Sequence, residues 1–149
     1  MILRIESFSS ENEKMMKDAY KIRYEVFVNE QHVDKNLEYD GLDSEAVHYV
    51  AYYDEFAAAT ARWRETKEGI KLERFAVLAN FRKKYIGAFL LIYILDEIKK
   101  SNKKIYLHAQ DSAVNFYKRL GFEIEGNSFT EADIIHYKMI YKKQNGKSG

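Results

Sequence analysis

The sequence predicts an α+β fold in a single domain, a mixed and mostly antiparallel central sheet flanked by helices. Three observations predict it. The stretches "VHYVAYYD", "FAAATARWRET" and "GIKLERFAVL" are β-rich and separated by turn residues, so they describe an antiparallel meander. Ile86, Leu90, Leu91, Ile94, Leu95 and Ile98 then follow a helical period for about four turns. The order strand, helix, three strands, helix, strand, helix, strands requires a mixed sheet, because the crossing through the long helix makes a βαβ unit that is right-handed by rule. At 149 residues the chain fits one domain, long enough to bury roughly two-thirds of its unfolded surface around one core.

Taken in order, Ile2, Leu3 and Ile5 with polar neighbours predict a short first strand. Ser9 or Ser10 followed by Glu11 to Glu13 starts a helix expected to reach about Asn29, with Tyr20, Tyr24, Phe27 and Val28 as its core-facing stripe. Gln31 to Glu45 is polar and acidic and reads as a loop beside a cleft. The meander follows, with a turn at Asp54 and Glu55, and then the long helix. After Ser101 and Asn102, "KKIYLHA" is a strand and "DSAVNFYKRLG" a helix ending at Gly121. "FEIEG" and "IIHYKMIYKK" are two closing strands. Residues 1–143 form the expected domain and 144–149 a disordered tail. No internal repeat or low-complexity segment interrupts them.

Composition narrows the function. The 24 Lys+Arg nearly cancel the 23 Asp+Glu, leaving a net charge of +1, so no global field argues for nucleic acid or an anionic membrane, and any anion site is local. The absence of cysteine removes disulfides, thiolate catalysis and cysteine metal sites together and fits a reducing cytoplasm. The first residues lack the apolar core of a signal peptide, and no run approaches a membrane span. Twelve tyrosines and nine phenylalanines predict an aromatic-rich core or cleft.

The long helix opens unusually. Arg82, Lys83 and Lys84 stand at its N-terminus, where unpaired backbone N–H groups and a partial positive charge favour an anion and disfavour cations. Gly87 adds a point of close backbone approach. Two readings stand: an anion site, or a basic surface loop with a glycine that merely packs.

The stretch "RFAVLANFRKKYIGAFLL" resembles the acetyl-CoA motif of the GNAT superfamily of N-acetyltransferases, a strand followed by Q/R-x-x-G-x-G/A at a helix start. Arg82 matches the first position and Gly87 the last, while Tyr85 stands where the family usually has glycine. If that position needs a positive φ, tyrosine costs on the order of 1 kcal/mol; if it needs only room, the ring narrows the cradle. "HAQDSAVNFYKRLGFEIEG" is similar to the family's pattern N-x-x-A-x-x-L/F-Y-x-x-x-G-F, with Ala113, Phe116, Tyr117, Gly121 and Phe122 on it and Gln110 replacing the asparagine. The resemblance covers nearly all of residues 2 to 142. "IRYEVFVNEQ", "HAQ" and "FTEADIIHYKM" are similar to a subgroup of small bacterial members of undefined substrate, which carry a histidine where His136 stands.

The resemblance implies the GNAT acyl-CoA N-acyltransferase fold and direct transfer of an acetyl group from acetyl-CoA to a primary amine of a small molecule or peptide, with no covalent enzyme intermediate; His108 and His136 are separated without metal-ligand spacing, so no metal is expected. It implies that backbone groups of Phe75, Ala76 and Val77 pair with the pantetheine arm, that amides from Arg82 to Ala88 (Lys83, Lys84, Tyr85, Ile86 and Gly87 between them) hold the pyrophosphate, and that Gln110 and Phe116 complete the cofactor site. A β-bulge in the preceding strand is expected to splay it from its neighbour. Tyr117 is the candidate general acid, since a phenol of pKa about 10 is protonated at neutral pH, with a core tyrosine as the alternative. Glu73 is the candidate base, against an ordinary solvent-facing glutamate. His108 and His136 are alternatives to it, titrating near neutrality, against packed core histidines.

The acidic segment "NLEYDGLDSEAVHY" with Glu30, Glu38, Asp40 and Asp43 attracts a cationic acceptor or is a solvated loop face. "IRYEVFV" with "LEYDGLD" is also similar to acyl-homoserine lactone synthases, on Arg23, Phe27, Asp40 and Asp43, although their tryptophan after the first helix is missing. Arg23 is thus either a substrate contact or a structural partner of the acidic loop. A noncatalytic module binding CoA or a partner is the third reading. The exposed aromatic strands admit a homodimer.

Overall fold

The computed structural model describes residues 2–142; the expected tail, 144–149, lies outside the described residues. Its strands are β1 (Leu3–Phe8), β2 (Val47–Tyr53), β3 (Phe56–Glu65), β4 (Ile70–Val77), β5 (Ile105–Gln110), β6 (Phe122–Ile124), β7 (Phe129–Glu131) and β8 (Ile134–Tyr141). Its α-helices are α1 (Glu13–Arg23), α2 (Lys35–Glu38), α3 (Ile86–Ile98) and α4 (Val114–Arg119). The strands form one mixed sheet in the order β1-β2-β3-β4-β5-β8-β6, with β7 on β8; only β4 and β5 are described as a parallel pair.

Strand alternation sorts the core into two layers. Tyr49 and Ala51 of β2 face α3, whose Leu90, Leu91 and Ile94 are fully buried, while Val50 and Tyr52 face Met16, Ala19 and Ile22 of α1. Truncating one of those α3 side chains to alanine costs about 2–5 kcal/mol.

Two expected elements differ. Helix α1 starts after Asn12, whose side chain accepts from Met15 N at 3.1 Å, not at Ser9 or Ser10. After Arg23 it continues as a π-helix, Tyr24–Glu30. The buried stripe is Met16, Ala19, Ile22 and Val26, with Tyr20 and Phe27 of the expected stripe partly buried against it and Tyr24 exposed. The acidic segment is likewise not a solvated loop: it contains α2, capped by Asp34, and a 3₁₀ turn, Asp43–Glu45, and its Glu38 is 2% exposed.

A third element, β7, had no sequence signal. It pairs with β8 through a turn at Ala132 and Asp133, which take φ of 52° and 61° without a glycine to advertise them.

Candidate active site

The sheet opens in the middle because β4 stops following β5. Pairing runs only from Ile70↔Ile105 to Leu72↔Leu107, after which both strands continue unpaired with each other. A bulge sits where they part: Arg74 and Phe75 together oppose Ala61 between the pairs Arg62↔Glu73 and Thr60↔Ala76, and Arg74 takes φ of 53°. This is the expected bulge, and it turns the end of β4 away from its neighbour. The gap leads into a cavity of about 1040 Å³ lined from both strands, the π-helix, α3 and α4.

One wall carries Phe75, Ala76 and Val77 of β4 and the first turn of α3. Tyr85 is the residue before that turn, and its φ of 63° settles which alternative holds: the position is left-handed, and tyrosine bears the strain that glycine would not. Ile86, Gly87 and Ala88 line the cavity, and as first-turn residues their amides have no intrahelical acceptor. A Cβ on Gly87 would come within 3.3 Å of Val77 Cγ2 and 3.6 Å of Phe116 Cζ, so the glycine lets the helix approach β4 and α4 closely.

The three cations before the helix diverge. Arg82 donates from Nε to Val77 O at 2.9 Å and from both terminal nitrogens to Glu30. Lys84 extends over the Tyr53 ring at 5.9 Å and does not line the cavity. Lys83 lines it, and among the described residues its ammonium has no ion-pair partner. The anion reading therefore narrows to Lys83 and the helix amides, with Arg82 neutralised in place.

Tyr117 of α4 packs its ring edge-on against Phe75, Phe116 and Phe122 and lines the cavity. Burial pushes its phenol above the usual tyrosine range. Among the described residues its hydroxyl has no hydrogen-bond partner, so it enters the cavity protonated and free to donate. Gln110, also on the wall, donates to Gln31 Oε1 at 2.7 Å and ties β5 to the end of the π-helix.

Glu73 does not have the surroundings of a base. Burial favours its neutral form, but a hydrogen bond from Arg64 at 2.7 Å and the charges of Arg62 and Lys71 outweigh this and hold it at about 2. A carboxylate that weak has little proton affinity at neutral pH. Arg23 is corrected also: it does not line the cavity, is 1% exposed, and binds Glu38 at 2.7 Å and Asp43 at 2.9 Å, the structural alternative. Asp40 reaches the wall, yet burial there is outweighed by hydrogen bonds from Arg62 and Leu42 N and by the Arg62 and Arg74 charges, which hold it at about 2. Glu30 and Asp40 are thus countercharges to arginines rather than free attractors of an amine.

His108, on β5, and His136, on β8, meet at Glu131 of β7, which the sequence did not single out because β7 itself was not legible. Among the described residues no group of three or more His, Cys, Asp or Glu is arranged to hold a metal ion, and no helix is long and apolar enough to cross a membrane.

Known proteins are similar to this chain in sequence and fold. Residues 6–143 match the family model described as an acetyltransferase (GNAT) domain. The chain is 36% identical over 134 residues to the uncharacterized N-acetyltransferase YjcF of Bacillus subtilis (strain 168), covering 88% of this chain and 95% of that one. An acyl-CoA N-acyltransferase from Pseudomonas aeruginosa superposes with a TM-score of 0.84 at 25% identity, over 95% of this chain and 100% of that chain. An aminoglycoside 6'-N-acetyltransferase complexed with coenzyme A shares the fold, with a TM-score of 0.73 at 16% identity over 94% and 96% of the two chains.

Proposed function

The chain belongs to the GNAT acetyltransferase family, and from that premise we propose that it moves an acetyl group from acetyl-CoA directly to a primary amine of a small molecule or peptide. The observation that carries this reading is the parting of β4 from β5 beside the first turn of α3. The exposed edge of β4 at Phe75 to Val77 offers backbone groups to an extended pantetheine arm, as a strand would. Lys83 and the amides of Ile86, Gly87 and Ala88 offer positive charge and donors to a pyrophosphate. Both lie on one wall, so a single ligand reaches them together.

Bound there, the cosubstrate supplies the activated thioester. The neutral amine nitrogen bonds to the carbonyl carbon as the C–S bond breaks, Tyr117 donates its proton to the departing sulfur, and the proton shed by the new amide nitrogen returns to Tyr117 Oη. Phe75, Phe116 and Phe122 hold the Tyr117 ring from several sides, which fixes the direction of that donation.

A thiol-release assay with acetyl-CoA and a panel of alkylamines, polyamines and dipeptides tests the proposal. Amine-dependent release of CoA supports it. Acetyl-CoA binding without turnover on any amine class favours the noncatalytic reading instead.

A further inference from the structure

The cavity wall built from β5, β7 and β8 has its own polar centre. His136 is 6% exposed, and its Nδ1 lies 2.8 Å from Ile134 O. A carbonyl can only accept, so Nδ1 bears the proton and the lone pair of the neutral ring is on Nε2. That nitrogen lies 3.9 Å from Glu131 Oε2, and among the described residues no hydrogen bond satisfies it. The other carboxylate oxygen, Oε1, accepts from His108 Nδ1 at 3.3 Å. Phe129 packs on both imidazoles, 4.9 Å from the His108 ring and 5.9 Å from that of His136.

Two acceptors therefore face each other at a separation too long for a hydrogen bond. With no donor between them they repel. An ammonium nitrogen about 2.8 Å from each would satisfy both. Glu131 is available as an anion, since the hydrogen bond from His108 outweighs its partial burial and holds its carboxyl below the usual range.

We propose that Glu131 Oε2 and His136 Nε2 form the docking and deprotonation site for the acceptor's primary ammonium, with His108 positioning Glu131. The inference rests on the acetyltransferase reading and deepens it, by naming a cationic alkylamine as the acceptor class and replacing Glu73 as the base. Glu131 holds the ammonium, and one N–H proton passes to His136 Nε2. The imidazolium so formed keeps Glu131 as its counterion. The neutral amine then forms the C–N bond, and the C–S electron pair leaves on sulfur. Tyr117 gives its proton to that sulfur, and the amine's second departing proton returns to Tyr117 Oη. His136 releases its proton to solvent once the amide has left.

The test is imidazole ¹⁵N NMR of the full chain saturated with CoA, titrated with n-butylammonium and, as a neutral control, n-butanol. Calorimetry with CoA is run on the wild type and on Glu131→Gln. The expected result is a saturable shift of the His136 Nε2 resonance with butylammonium and none with butanol, weakened about tenfold or more in Glu131→Gln while CoA affinity is kept. A CoA-saturated wild type whose His136 resonance ignores butylammonium overturns the inference alone, as does a shift of equal affinity in Glu131→Gln. A wild type that does not bind CoA overturns the acetyltransferase reading and this inference with it. The wild-type titration decides the matter even if the variant fails to fold.

Discussion

Arg82 gives both terminal guanidinium nitrogens to Glu30, Nη1 to Oε2 at 2.6 Å and Nη2 to Oε1 at 2.7 Å, across 52 residues of chain. The pair joins the end of the π-helix to the segment that leads into α3, and Arg82 Nε is held on Val77 O. The most conspicuous cation of the motif is therefore already neutralised. Positive charge on the cavity wall beside the helix amides comes from Lys83.

Replacing Glu30 by glutamine should release Arg82. Because the pair is more than one-third exposed on each side, its strength is modest, and stability should change by less than about 1 kcal/mol. The freed guanidinium adds a cation to the wall, so acetyl-CoA affinity should rise, by up to about fivefold. Calorimetry and urea unfolding on the same preparation check both parts.

Tyr117→Phe removes one oxygen and leaves the ring contacts in place. Turnover should fall about one hundred-fold or more, with acetyl-CoA affinity unchanged. Steady-state kinetics beside calorimetry separate the two, and unchanged turnover would remove Tyr117 from the chemistry.

The pair Arg23 and Glu38 is fully buried, each side chain 1% exposed, and Asp43 shares the guanidinium. Arg23→Ala leaves Glu38 to Arg74 and Asp43 to Arg62, so that two carboxylates lose half of their compensation in the interior, and should cost about 3 kcal/mol. Arg23→Leu with Glu38→Leu removes both charges and should recover much of that loss, measured as urea unfolding midpoints.

These buried charges mark the limit of what the sequence made legible. The β4–α3–β5 unit and the run from Ala113 to Phe122 were readable because each is local: periodic apolar positions, a glycine and an aromatic pair at fixed offsets. The acidic segment stayed open between an amine attractor and a solvated face, with Arg23 as its one named candidate partner, because Arg62 and Arg74 are far away in the chain and long-range pairing leaves no local pattern. Glu131 was missed for a similar reason. It becomes part of the cavity only through a short strand whose turn puts Ala132 beside Asp133, and although aspartate tolerates the left-handed region, alanine does not announce it and the usual Asn-Gly or Asp-Gly pair is missing. Tyr85 was legible as a departure, but only its backbone angle decided what the departure meant.

Stability should also follow pH in a definite direction. Asp40 and Glu73 are held at about 2, against ordinary values of 3.8 and 4.5. Depressed carboxyls stabilise the fold fully above their unfolded values and lose that contribution as pH falls through the folded ones. Glu38 acts in the opposite sense, because burial raises its value despite Arg23 and Arg74, so its ionisation opposes folding as pH rises. Unfolding midpoints should therefore decline from about pH 4.5 downward, most steeply at about pH 3, between the folded and unfolded values, and level off below about pH 2. Glu73→Gln should flatten that decline.

In the proposed function, the opening between β4 and β5 takes acetyl-CoA with its pyrophosphate at Lys83 and the start of α3. Calorimetric titration of acetyl-CoA into the wild type and into Lys83→Ala tests it most directly. Micromolar binding to the wild type is expected, weakened about tenfold when the lysine is removed. No binding to the wild type, or binding that does not change in Lys83→Ala, would contradict it.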